Sequence, residues 1–335
     1  MYLILEIIFS VIAKLLIIKD PFMKNITKNY KLVKTSIVVT AILISITFLS
    51  FHVVQKGVLD RPQEYYPQSY RIVSPELPKE ISFAGELVPL DQFEVREKLD
   101  REIIVGTYWH SAMILYLKRA NRWFPVIEPI LKKNGIPDDF KYITVIESDL
   151  TNVTSPVGAT GFWQFMKPTA ISYGLEVNEF VDERYDVEKS AEAACKYLKD
   201  AKEKFGTWTL AAASYNMGQN GTDNQLERQK ADSYYNLVLG EETTRYVFRA
   251  LAAKTIMSDP AKYGFQINDS DLYPQLNYRI VTVDSEVKHW ADFAASHGIN
   301  YKTLKYFNPW LRDNYLPNKS NKTYEIKIPI GSGVK

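Results

Sequence analysis

Cysteine is nearly absent: Cys195 stands alone among 335 residues. A disulfide framework needs thiols in pairs and a thiolate metal centre needs several, so both are excluded. Cys195 falls among Val187, Ala191, Ala194, Leu198 and Ala201, which recur at helical spacing. It reads as a small buried hydrophobe, with no nearby histidine to make it a nucleophile. Histidine is scarce too, with four copies, and His289 and His297 lie far from any second pair of ligands, so neither a metal nor a cofactor is expected. An excess of charge of one sign is also missing. Lys and Arg number 41 against 39 Asp and Glu, and the net charge of +2 gives no ground for a nucleic-acid partner. At 46% hydrophobic and 24% charged, the chain is neither disordered nor fibrous and has length for two or three domains.

Charge is wholly missing from one stretch. Between Lys34 and Lys56 the chain runs uncharged from Ser36-Ile37-Val38-Val39 to Phe51 and beyond, roughly the ~20 residues a bilayer-crossing helix requires. Lys24, Lys28, Lys31 and Lys34 precede it, and the positive-inside rule leaves them in the cytoplasm and everything after Lys56 outside. Phe51-His52-Val53-Val54-Gln55 lacks a small-x-small cleavage pattern and no lipidatable cysteine follows, so a retained signal-anchor is expected over a cleaved signal. Met1 to Ile18 are apolar but carry Glu6 and Lys14; they form either the first helix of a hairpin or an extension upstream of a start at Met23, the second reading being favoured. Pro62, Pro67, Pro75, Pro78 and Pro89 then mark an extracytoplasmic tether. The expected organisation is 1–56 cytoplasmic segment and anchor, 57–89 tether, 90–268 helical domain and 277–331 a small C-terminal module.

Helical signals follow the tether. Val95, Leu99 and Ile103 recur every four residues, and a run from Trp123 to Leu131 ends in Lys132-Lys133-Asn134-Gly135, a helix stop. Pro137-Asp138-Asp139 starts a helix again, burying Phe140, Ile143 and Ile146 and carrying Glu147 near its carboxyl end. A glutamate at a helix end is commonly a solvated surface residue. Here the helix dipole and the apolar neighbours Ile143 and Ile146 both raise its pKa above the ~4.3 of a free glutamate, as a general acid working near neutral pH requires.

Glu147-Ser148, Ser155-Pro156-Val157-Gly158-Ala159, Gly161-Phe162-Trp163-Gln164 and Ala213-Ser214-Tyr215-Asn216-Met217-Gly218, in that order, resemble the lytic transglycosylase family with its goose-type lysozyme-like fold. The resemblance covers roughly Trp123 to Phe265. Glu183-Arg184-Tyr185-Asp186, Glu242-Thr243-Thr244-Arg245-Tyr246-Val247 and Asp259-Pro260-Ala261-Lys262-Tyr263-Gly264 are similar to the membrane-bound D-type members. The resemblance implies that Glu147 is general acid and base, that Gln164 and Tyr215 lie at the cleft floor, that Ser155 and Asn216 order the adjoining loops, and that Tyr246 is a substrate-binding residue. Two departures stand out. Ser214 replaces the commoner alanine, and the loop from Leu150 to Ser155 is about one residue short, which bears on the contact Ser155 makes.

The chemistry turns on the number of carboxylates. A hydrolase ordinarily flanks the scissile bond with two. Asp149, two residues along the helix from Glu147, projects to another face; Asp186 reads as an N-cap of the Cys195 helix; Asp182 remains a candidate. Without a second carboxylate, the sugar's own 6-hydroxyl can displace the leaving group and close a 1,6-anhydro ring. That is the transglycosylase reaction on the MurNAc-β-1,4-GlcNAc bond of peptidoglycan that the resemblance implies. A muramidase using Asp182 and a non-catalytic wall-binding scaffold are the alternatives. Phe162, Trp163 and Phe165 read as core more readily than as sugar-stacking surfaces, and Tyr215 is expected to find a glutamate across the cleft as its hydroxyl's partner.

After Gly264 the period changes. Tyr278 to Val283 reads as a strand, Glu286 to His297 and Tyr301 to Phe307 as helices, and Tyr324 to Pro329 as a closing strand. With Phe307-Asn308-Pro309-Trp310 and Ile326-Lys327-Ile328-Pro329, this βααβ unit resembles a LysM module, although Asp284-Ser285-Glu286 replaces the usual Gly-Asp-Thr. The expected fold is mainly α: a membrane helix, a lysozyme-like helical domain and a small LysM-like module, placed in the bacterial envelope outside the cytoplasm with peptidoglycan glycan strands as partner.

Overall fold

The computed structural model describes residues 72–331. The expected membrane segment and the first part of the tether lie outside the described residues, and no helix among the described residues is long and apolar enough to cross a membrane. Helix α1 (Phe93–Tyr108) buries Val95, Leu99 and Ile103 at the anticipated four-residue spacing. It packs along α8 (Glu241–Ser258), whose Val247, Leu251 and Ile256 are fully buried. Helix α2 (His110–Lys133) ends where Gly135 takes φ +69, a backbone angle that costs glycine little. After a turn at Asp138–Phe140 comes α3 (Lys141–Ser148), which anchors Phe140 and Ile143 in the core.

Helix α4 is Lys167–Ser172. The next two helices start where the sequence supplies caps. Asp186 accepts from the Lys189 N–H at 2.9 Å to open α5 (Val187–Phe205), and Thr207 caps α6 (Trp208–Met217). The small residues Ala211, Ala212, Ala213 and Ser214 let α6 lie at the centre, fully buried; α7 (Gln219–Gln229) follows. Cys195 is buried in α5, where burial pushes its thiol up to about 12 and leaves it inert.

The end of the expected tether departs from its reading as a spacer. Strands β1 (Ser82–Phe83) and β2 (Glu86–Leu87) form a hairpin whose Phe83 is fully buried, 5.2 Å edge-on to Phe140. Glu86 accepts from the Trp208 and Thr209 N–H groups at 2.6 and 2.8 Å, a carboxylate neutralising a helix amino terminus. Proline content disfavours helix but does not prevent a two-residue strand from inserting an aromatic ring.

In the C-terminal module, β3 (Tyr278–Val283) and β4 (Tyr324–Pro329) pair antiparallel from Tyr278 opposite Pro329 to Val283 opposite Tyr324. Between them lie α9 (Trp290–Ser296) and α10 (Tyr301–Phe307). Helix α9 is shorter than the expected Glu286 to His297 because Val287 exchanges backbone bonds with Leu316 and Trp290 N–H donates to Asn314. Buried Asn308 explains the Asn-Pro turn: its amide donates to Lys327 C=O and accepts from Lys327 N–H, both at 2.8 Å, tying α10 to β4. The module has its own core around Trp290, Trp310 and Ile326, into which Val181 of the helical domain inserts. Val181 bridges Leu311, Asp182 N–H donates to Trp310 C=O at 2.9 Å, and Lys327 Nζ reaches Glu188 at 2.5 Å. One segment, 176–188, therefore serves both cores.

Candidate active site

Glu147 occupies the last turn of α3, and the helix stops directly after it because Asp149 and Leu150 both take φ +55. Ser148 Oγ donates to Phe162 C=O at 2.9 Å, fastening this end to the Gly161–Phe165 loop. The Glu147 carboxyl is half-buried and accepts a 2.5 Å hydrogen bond from the Tyr246 hydroxyl on α8. One turn further, Arg249 donates to Ile146 C=O at 2.9 Å. Burial pushes the Glu147 pKa up from 4.5; the Tyr246 bond and Arg249 oppose the shift, Glu242 reinforces it, and the result is about 7. A carboxyl poised there can donate and then accept a proton at neutral pH.

Glu242, Tyr246 and Arg249 fall at i, i+4 and i+7 on α8, one face of a helix. Glu242 is exposed in the first turn and accepts from Asn216 Nδ2 at 3.2 Å; Asn216 Oδ1 in turn accepts from Thr243 Oγ1 at 2.7 Å. Asn216 thus joins the end of α6 to the start of α8. Tyr215 does not find the glutamate expected for it: its hydroxyl donates to Trp163 C=O at 2.7 Å. It is still close to the acid, since burial first and then the Glu147 charge raise its pKa well above 10. Tyr246 is 1% exposed, which makes it a support beneath the acid with little surface left for a substrate.

Gln164 takes φ +49 and its amide donates to Val153 and Gly161 carbonyls at 3.1 and 2.7 Å. Gln164, Tyr215 and Asn216 line one cleft of about 490 Å³. Ser155 closes the preceding turn, its Oγ accepting from Ala159 N–H at 3.0 Å, and does not line that cleft. Phe162, Trp163 and Phe165 are core.

Arg184, in the Glu183–Asp186 motif, has a role that its sequence neighbours do not reveal. Its guanidinium pairs with both oxygens of Asp182 at 2.9 and 2.7 Å and donates to Gly158 and Phe165 carbonyls, clamping the 158–165 loop. A side chain at Gly161 would meet Arg184 O at 1.9 Å, so that close approach demands glycine. The same pair removes Asp182 from consideration as a free base. Asp149, past the end of α3 and not on it, accepts from Tyr116 Oη at 2.7 Å, and Asp186 is used as a cap. Among the described residues no group of three or more His, Cys, Asp or Glu side chains could hold a metal.

A short helix with a half-buried glutamate in its last turn thus lies in a mainly helical body beside a βααβ unit. The transglycosylase SLT domain family matches residues 124–238, and the soluble lytic transglycosylase C-terminal LysM-like domain family matches residues 279–332. It is similar to the membrane-bound lytic murein transglycosylase D of Escherichia coli strain K12, 28% identical over 228 residues that make up 66% of this chain and 49% of that protein. The protein of the same name from an Escherichia coli O6:H1 strain gives the same figures. The chain spans about half the length of the curated relatives it matches. Among solved structures, an inactive mutant of the lytic transglycosylase Slt from Pseudomonas aeruginosa aligns at 19% identity and TM-score 0.35, covering 55% of this chain and 36% of that one.

Proposed function

We propose that the chain is a lytic transglycosylase that cleaves the MurNAc-β-1,4-GlcNAc bond of peptidoglycan and leaves a 1,6-anhydroMurNAc end. The observation that carries this reading is the environment of Glu147: a carboxyl raised to about 7 by burial and held by Tyr246. Protonated Glu147 gives its proton to the glycosidic oxygen as the C1–O bond breaks. The resulting carboxylate takes the proton of the C6 hydroxyl as that oxygen bonds to C1, so the acid is regenerated and no water is consumed. Tyr246 positions the carboxyl, and Glu242 favours its protonated form by like-charge repulsion. Gln164, Tyr215 and Asn216 shape the cleft that holds the glycan, with Ser155 ordering the loop beside it.

A muramidase is the second reading, and Glu242 is the observation that favours it: it replaces Asp182 as the carboxylate able to orient a water near Glu147. For location, the lysine-flanked uncharged run before Lys56 and the relatives' description as membrane-bound support an anchored envelope protein with residues 90–268 and 277–331 outside the cytoplasm. The test of the acid is Glu147→Gln, which keeps shape and cannot deliver a proton. Turnover of purified wall glycan should fall by ~10²- to 10⁴-fold with the thermal transition preserved. Cleavage within tenfold of the unmutated chain would move the acid elsewhere.

A further inference from the structure

The turn at 177–182 belongs to the helical domain by sequence and to the C-terminal module by packing. Asn178 Oδ1 accepts from the Phe180 and Val181 N–H groups at 2.8 Å each, an Asx turn closed by the bridge between Val177 and Asp182. The turn projects two apolar side chains: Val181, fully buried in the module's core, and Phe180, whose ring lies 5.2 Å edge-on to Tyr315. Backbone bonds then fix the same stretch, Asp182 N–H donating to Trp310 C=O and Arg312 N–H to Phe180 C=O, both at 2.9 Å. Arg312 also lays its guanidinium 4.1 Å over the Tyr185 ring. The module therefore grips residues 180–185 by packing, by backbone bonds and by a stacked cation.

What the module grips is the base of the Arg184 clamp. Asp182 and Arg184 are both buried, and the carboxylate orients the guanidinium through paired bonds of 2.9 and 2.7 Å, so that Nη1 meets the Gly158 and Phe165 carbonyls at 3.0 and 3.1 Å. A buried guanidinium parted from its carboxylate is left uncompensated, so the two side chains move together. Those carbonyls stand where the chain enters and leaves the loop carrying Gln164, itself a cleft residue. A parallel link runs beside them: the Tyr185 hydroxyl, under Arg312, meets Thr154 Oγ1 at 2.8 Å, and Thr154 bridges Thr160 in the same loop. Among the described residues none of 277–331 lines the cleft of Gln164, Tyr215 and Asn216. The module's influence on that cleft therefore runs through these contacts.

We infer that the C-terminal module is a positioning element of the cleft: by fixing the backbone at Val181 and Asp182 it sets Arg184, and Arg184 sets the loop that presents Gln164. Asp182, Arg184 and Arg312 are positioning residues, since none of them lines the cleft. The loop's other ties, Ser148 Oγ to Phe162 C=O and Tyr215 Oη to Trp163 C=O, hold its middle. Loosening the module should therefore free the loop's ends and Gln164 while Glu147 keeps its bond from Tyr246. The signature is weaker substrate binding with the chemical step preserved. Taking this cleft as the glycan site rests on the proposed function; the coupling between module and loop does not.

The full chain is compared with Val181→Ala, Arg184→Lys, the double variant and Arg312→Ala. Hydrogen exchange is followed without glycan, and KM and kcat on soluble, peptide-free glycan strands are read by counting all cleaved ends, anhydro or reducing. Val181→Ala should speed exchange in 158–165 by about threefold to tenfold with exchange in 187–205 unchanged, and raise KM by a similar factor with kcat held. Arg184→Lys keeps the charge, loses the fork and should do at least as much. Because both act through one clamp, the KM of the double variant should stay close to that of Arg184→Lys; a rise equal to the product of the single rises overturns the inference. Unchanged exchange in 158–165 of Val181→Ala overturns it too, even where KM rises, since the module would then act by holding glycan itself. Arg312 is exposed, so Arg312→Ala leaves both cores filled and carries the test if the other variants do not fold. It should speed exchange in 158–165 by about threefold, and no change there overturns the inference. Reducing ends in place of anhydro ends would contradict the proposed reaction and leave both readouts of the loop standing.

Discussion

Glu147 and Asp186 are both carboxylic acids whose pKa values are raised by burial, and they end up with opposite uses. Asp186 spends an oxygen on the Lys189 backbone N–H, and its charge is answered by Lys327 from the neighbouring module. Glu147 receives one side-chain hydrogen bond, from Tyr246, and no cation among the described residues is paired with it at salt-bridge distance. Burial alone therefore does not mark a catalytic acid. What separates the two is how many partners are fixed in the folded chain, and a mechanism needs a proton that is not already committed.

This contrast can be broken most sharply through stability. The folded Glu147 holds its proton up to about 7, against 4.5 for an ordinary glutamate, so the folded state binds more protons in that interval and loses stability as pH rises through it. Glu147→Gln should escape this loss and gain on the order of 1–3 kcal/mol over the unmutated chain at pH 8 relative to pH 4. Asp186→Ala removes a carboxyl whose pKa is raised as well, so its pH dependence should weaken in the same direction, but it carries a cost of its own at both pH values. It removes a cap and should cost ~0.5–2 kcal/mol, with turnover per folded molecule preserved. Urea unfolding of both variants at the two pH values reads the difference; equal behaviour would erase the distinction drawn between them.

Two smaller effects sharpen the picture at the acid itself. The Tyr246 hydroxyl lowers the Glu147 pKa, so Tyr246→Phe should move the basic limb of the kcat/KM profile to higher pH while cutting the maximum by roughly tenfold through lost positioning. Glu242 raises the same pKa, so Glu242→Gln should move that limb to lower pH and leave the maximum nearly intact. A collapse of turnover in Glu242→Gln would instead make Glu242 the second carboxylate of a hydrolase.

What could be read from the chain was local. The helix ending at Glu147, the cap at Asp186, the buried Cys195 and the two outer strands of the module each follow from residues within a turn or two of one another. The partners that give the site its chemistry are remote. Tyr246 lies 99 residues from Glu147, and Glu86 caps a helix 122 residues away. Tyr215 was assigned a glutamate partner because a buried phenol needs one, yet the need is met equally well by Trp163 C=O, a backbone group that no side-chain pattern reveals. Arg184 was legible as part of a motif, but its grip on two carbonyls of the 158–165 loop depends on where that loop folds. The i, i+4, i+7 spacing of Glu242, Tyr246 and Arg249 was the one available signal that α8 presents a polar face to the acid.

In the proposed reaction one carboxyl, Glu147, serves both proton transfers, with the sugar's own 6-hydroxyl as nucleophile. Digestion of purified peptidoglycan in ¹⁸O-labelled water, followed by mass analysis of the fragments, tests it directly. Fragments ending in 1,6-anhydroMurNAc, one water lighter than reducing ends and free of the label, are expected; reducing ends carrying ¹⁸O would contradict the single-carboxyl reaction.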